Sequence, residues 1–94
     1  MIGSFADLVK KQVDLFQNNN VAWMSVMASS WAIQEIMGMG YGKLLRSGKI
    51  KPVYEVEDQE SLWRSVDEFS NGQTDEMIRH RIAKCLITLE YYLQ

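Results

Sequence analysis

The sequence predicts an all-α fold, a compact bundle of about four helices. Three observations carry that prediction. Hydrophobic residues make up 47% of the 94-residue chain, and most recur at steps of three and four, the period of a helix with one buried face. Polar caps and glycines separate these runs. There is only one proline, Pro52, and no second extended run with which one strand would pair. The length fits a single helical domain over 1–94, and a chain of this size buries enough surface for one core without covalent staples.

The first helix is expected over 4–17. Ser4 caps it and Asp7 follows three residues later, close to a capping box. Phe5, Leu8, Val9, Val13 and Phe16 form its apolar stripe, with Lys10, Lys11 and Asp14 opposite. Asn18 to Asn20 end it, and Asn20 is placed to cap the next helix.

The second helix, over 21–37, is of a different kind. Between Asp14 and Lys43 the only charged residue is Glu35. A helix apolar on nearly all sides is buried on most of them or lies in a membrane. Ser25, Ser29, Ser30, Gln34 and Glu35 interrupt the run, so a buried central helix is the expectation and a membrane span is not. Trp23, Met27 and Trp31 fall along one line at four-residue steps. Small residues at Ala22, Ser25, Ala28, Ser29 and Ala32 would let a neighbouring helix come close.

A third helix is expected over 58–70, capped by Asp58, with Leu62, Trp63, Val66 and Phe69 as its stripe. Gly72 can take the left-handed position after its last turn. A fourth is expected over 75–93, capped by Thr74. Its core face reads Ile78, Ile82, Cys85, Leu86, Leu89 and Leu93, widened by Ile87, Tyr91 and Tyr92. The second and fourth helices form the expected centre. Residues 38–57 read as an irregular connector, with a short helical turn over 43–46 and an extended piece over 52–57.

The stretch "GMGYGKLLRSGK", residues 38–49, raises the question of a phosphate-binding loop. Such a loop follows a buried strand and opens a helix whose N-terminus holds the anion. Here the glycines follow a helix, the spacing is G-x-G-x-G-K, and Leu44 stands where a magnesium-binding hydroxyl is needed. The glycines are read as a helix terminus and a tight reversal. A second structural role for them is to let another backbone approach.

No catalytic, cofactor or metal site can be assembled. His80, the only histidine, lies between Arg79 and Arg81 and off the apolar stripe, so it reads as a surface residue with no placed nucleophile or orienting acid. Cys85, the only cysteine, sits on a core face and reads as a small apolar residue. One cysteine excludes an internal disulfide and suits a reducing compartment. Burial of Glu35 unpaired would be costly, so it is expected at the exposed end of its helix, paired with a basic residue such as one of the 43–51 segment, or lining a site. The N-terminal residues lack the pattern of a signal peptide, so an unprocessed cytoplasmic chain is expected.

Function therefore points to binding. The net charge of −2 gives no global pull toward nucleic acid or membrane. Locally, Lys43, Arg46, Lys49 and Lys51 put four positive charges in nine residues, and Glu55, Glu57, Asp58 and Glu60 follow with four negative charges in six. Ten aromatics and six methionines exceed what four short helices need inside. The expected function is a small non-enzymatic adaptor, assembly subunit or inhibitor of a larger protein. It would act through an apolar, aromatic patch with a charged rim, using Lys43, Arg46, Lys49, Lys51, Tyr54, Glu55, Glu57, Tyr91 and Tyr92. Self-association, most simply a two-fold dimer, is expected as well. The alternative is a helical subunit that holds nucleic-acid backbone through Lys43, Arg46, Lys49, Lys51, Arg79, Arg81 and Lys84.

Overall fold

The computed structural model describes residues 22–94. The expected helix over 4–17 lies outside the described residues. The protein is an all-α bundle. In chain order it has α1 (Ala22–Met37), α2 (Tyr41–Arg46), a 3-10 turn (Val53–Glu55), α3 (Gln59–Ser70) and α4 (Glu76–Leu93). No strand occurs among the described residues. The longest helix, α4, is the hub. It packs against α1 and α3, and α2 and the 3-10 turn also lean on it.

The core follows the three- and four-residue steps. Val66, Ile82 and Ala83 are fully buried with Val53, Leu62 and Ile87 around them, and Trp23, Tyr41, Trp63 and Phe69 pack on that cluster. A second cluster joins Val26 and Ile33 of α1 to Leu89 of α4. Each such aliphatic side chain contributes roughly 1.5–3 kcal/mol by leaving water. The buried face of α4 is rotated from the expected one. Ile82, Ala83, Ile87, Thr88 and Leu89 are buried, while Ile78, Cys85 and Leu86 are half-buried. Thr88 is tolerated there because its hydroxyl donates to the Lys84 carbonyl at 2.9 Å.

The helix ends show why the chain stops and restarts where it does. Asp58 caps α3 by accepting from the Ser61 N–H at 3.0 Å. At its far end Asn71, not Gly72, takes the first left-handed position, with φ 52°. Asparagine is among the few residues besides glycine that visit that region readily. The cap of α4 is Asp75 in place of the expected Thr74, and its carboxylate accepts from the N–H groups of Met77 and Ile78.

Two further expectations are corrected. The 38–57 connector is more regular than its composition implies, since Tyr41–Arg46 forms a full helix with Leu44 buried. The extended piece over 52–57 is a 3-10 turn, closed by Glu55 N–H to the Pro52 carbonyl at 2.9 Å. Val53 turns into the core there, so burial of one side chain overrides the alternating pattern. Gln59 clamps this turn to α3. Its amide Nε2 donates to the carbonyls of Val53 and Val56, and its Oε1 accepts from the Trp63 indole.

The glycines divide their labour. Gly38 ends α1 at φ 67°, where a side chain would be strained. Gly40 opens α2, and a Cβ there would lie 2.7 Å from the Gln34 side chain. It is a side chain, not another backbone, that comes close. A helix terminus and a reversal, with no strand before them among the described residues, leave nothing of a phosphate loop.

Candidate functional site

Helix α1 is two-sided although its sequence does not look so. Ser25, Val26, Ser29 and Ile33 are buried. Met24, Ala28, Trp31 and Glu35 fall one helical turn after another on the opposite side, and all are exposed. The expectation of a helix buried on most sides is thus half right. Trp31 is 65% exposed and Met24 51%. Glu35 is exposed in the last turn, as the cost of burying an unpaired carboxylate requires.

Beside Trp31 runs a groove of about 410 Å³ between α1, the start of α2 and α4. Met27, Trp31 and Gln34 line it from α1, Tyr41 from α2, and Arg81 and Lys84 from α4. The Lys84 ammonium sits 5.6 Å from the centre of the Tyr41 ring, a cation–π distance. Burial pushes the Tyr41 phenol up, and a backbone hydrogen bond with Val53 pulls it partly back. Ser30 and Cys85 complete the lining. Burial raises the Cys85 thiol, with hydrogen bonding to Ser30 and the charge of Lys84 acting in the other direction. A raised thiol holds less thiolate, the form that reacts.

Among the described residues the lining holds two cations and no carboxylate. Neither Arg81 nor Lys84 forms an ion pair among the described residues. A second groove, of about 540 Å³, lies between α3 and α4. Leu62, Phe69, Leu86 and Leu93 line it together with the carboxylates Asp58 and Glu90, and no cation lines it among the described residues. Asp58 is already occupied as the α3 cap. The larger groove presents leucine and phenylalanine side chains with carboxylates at its rim. The smaller one presents an exposed indole next to two cations that have no carboxylate partner among the described residues.

The residues singled out from sequence do not converge on one patch. Lys43 donates to the Gly38 carbonyl at 3.0 Å and so closes the C-terminal end of α1. Lys51 pairs with Glu57 at 3.0 Å, and this partner holds the Glu57 carboxyl below its usual range. Arg46, Lys49 and Glu55 are exposed. Tyr54 is 70% exposed, but its ring leans on His80 at 5.2 Å and on Trp63 at 6.2 Å between centroids. His80 is therefore not a plain surface residue. It is half-buried in an aromatic cluster, and its Nε2 is buried without a hydrogen-bond partner. Arg79 pairs with Asp67 at 2.9 Å and lies 5.7 Å from the Trp63 ring centre. Tyr92 donates to the Met39 carbonyl at 2.9 Å, tying the end of α4 to the α1–α2 reversal, and Tyr91 packs edge-on against it.

Of the seven basic residues, the structure brings only Arg81 and Lys84 into the groove. Sequence reasoning missed Trp31, Gln34 and Tyr41 as their companions. The absence of any charge next to Trp31 was the available signal, and it pointed as readily to the core. Comparison with known protein families, curated proteins and solved structures gives no match. No group of histidine, cysteine or carboxylate side chains among the described residues is arranged to hold a metal. No helix among them is long and apolar enough to cross a membrane.

Proposed function

We propose that the chain is a small non-enzymatic protein-binding module of the cytoplasm, an adaptor, assembly subunit or inhibitor of a larger protein. The observation that carries this reading is Trp31, 65% exposed at the edge of a groove that continues its apolar surface through Met27 and Tyr41. An indole left in water costs the free protein apolar hydration that a partner would relieve. Tryptophan, tyrosine and arginine are the residue types that most often anchor interfaces, and the groove offers one of each. Met24 and Met27, flexible and polarizable, suit the surroundings of such an anchor. A two-fold homodimer belongs to the same proposal and is read by sedimentation velocity over a concentration range.

The nucleic-acid reading has less support. Backbone binding wants several free cations along one track. Here Lys51 and Arg79 are committed to carboxylates and Lys43 to a helix end.

The test is a tagged pull-down from the native host, with and without nuclease, using the wild-type chain and Trp31→Ala. One stoichiometric protein that survives nuclease and is lost with Trp31→Ala supports the module. Recovery of nucleic acid, with protein partners lost on digestion, overturns it.

A further inference from the structure

The groove beside Trp31 has a charge character that narrows what can enter it. Its apolar and aromatic lining, Met27, Trp31 and Tyr41, would bury carbon. Its two cations, Arg81 and Lys84, lie on the same helix three residues apart, on neighbouring turns. An entering group that brought no negative charge would desolvate these cations without return. One that brought a positive charge would be repelled. A carboxylate set among apolar side chains satisfies both halves of the lining. The planar guanidinium of Arg81 suits such a carboxylate, since it can donate two parallel hydrogen bonds to it.

We propose that this groove is the docking site for an acidic, apolar peptide segment of a partner protein, one in which Asp or Glu alternates with large apolar or aromatic side chains. The proposal rests on the protein-binding reading above and names the chemistry of the partner at that same site. Charge complementarity commits it to this occupant. A volume of about 410 Å³ takes a few side chains, not a folded surface, so the contact is that of a short segment. Gln34 adds a neutral amide able to donate to or accept from the backbone of that segment. Single-stranded nucleic acid would also offer anions and stacking faces. It would want a continuing track of free cations beyond the groove; of the other basic residues singled out, Lys43, Lys51 and Arg79 are engaged within the chain, and Arg46 and Lys49 do not line the groove. The chain's own exposed acidic run fits less well. Glu57 is paired with Lys51 and Glu60 with Arg64.

The experiment is selection of a random-peptide library on the immobilised full chain, followed by anisotropy titration of the strongest peptide in rising salt. A consensus that combines acidic with apolar or aromatic residues is expected. Its affinity should fall about tenfold in the double variant Arg81→Glu/Lys84→Glu, where attraction becomes repulsion. It should also weaken with salt on the unaltered protein, a readout that needs no variant to fold. Both substituted residues are outside the buried core, and unchanged circular dichroism and thermal melting check that the variant is intact. A consensus without acidic residues, or an affinity indifferent to salt and to the double variant, overturns the proposal. If such peptides still compete with the captured protein and lose binding in Trp31→Ala, the protein-binding reading stands and only the acidic partner falls. Tighter binding of a fluorescent oligothymidine than of any selected peptide overturns both. Loss of a homodimer in the double variant, with no peptide bound, gives the groove to a second copy and overturns the proposal as well.

Discussion

The two sides of α1 have nearly the same chemistry in sequence and opposite fates in the fold. On one side Ser25, Val26, Ser29 and Ile33 are sealed against the rest of the bundle. On the other Met24, Ala28, Trp31 and Glu35 face water. The bulkier set is the one left outside. Packing explains the inversion. Small residues at 25 and 29 let α1 come close to its neighbours, and a tryptophan there would hold it away. The outer face is then free to carry bulk, and the proposed contact surface uses it.

This contrast can be broken or sharpened by substitution. The largest effect is expected inside. Ile33→Ala should cost about 2–5 kcal/mol of stability in denaturant titration, the usual loss for an aliphatic core truncation, and leave partner affinity unchanged. Trp31→Ala should do the reverse. Its melting curve should overlay that of the parent, while partner affinity falls by a factor equivalent to about 2 kcal/mol, the scale of an interface anchor. If Trp31→Ala destabilises the chain as much as Ile33→Ala does, the two sides do not differ and the outer face is core.

A smaller effect of opposite sign tests the inner face. The Ser29 hydroxyl is buried with no hydrogen-bond partner among the described residues. Ser29→Ala removes that group while keeping the close approach, so it should raise stability by about 1 kcal/mol; a loss would mean that the hydroxyl is satisfied. The smallest effect concerns Cys85, which lies between the two sides. Burial raises its thiol above the ordinary value of 9.0. For an acid whose folded value is raised, stability is level below the unfolded value and declines as pH rises through it toward the folded one. At pH 7.5 alkylation by iodoacetamide should therefore be slower than that of a free thiol, and Cys85→Ala should leave the dependence of stability on pH between 6 and 8 unchanged. Fast alkylation in the native state would contradict the burial assigned to Cys85.

The all-α class and three helices were legible because the apolar steps, Asp58 and the glycines all point the same way. Glu35 was legible for a simpler reason, since a lone carboxylate cannot be buried cheaply. The rest was hidden by the chemistry of α1. An amphipathic helix announces its buried side by charges on the other, and α1 has one charge at its end. Nothing local says that Trp31 faces out and Ile33 in; the shape of the neighbours decides it. The buried side of α4 was misjudged for a related reason. Thr88 and Ala83 looked indifferent, yet they occupy the tightest positions because they are small. The groove was not legible either. It needs Tyr41 from a helix within a glycine-rich stretch, together with Arg81 and Lys84 from α4, and only the fold brings them together.

The most direct test of the central claim is site-specific photocrosslinking in living cells of the native host. A photoreactive phenylalanine is placed at Gln34, in the groove beside Trp31, in one version of the chain and at Ser65, in the leucine-lined groove, in another. The account predicts one discrete crosslinked polypeptide from position 34. Its yield should fall when Arg81→Glu/Lys84→Glu is added, and no such product should come from position 65. A product from position 65 with none from position 34 would contradict it and move the partner to the other groove.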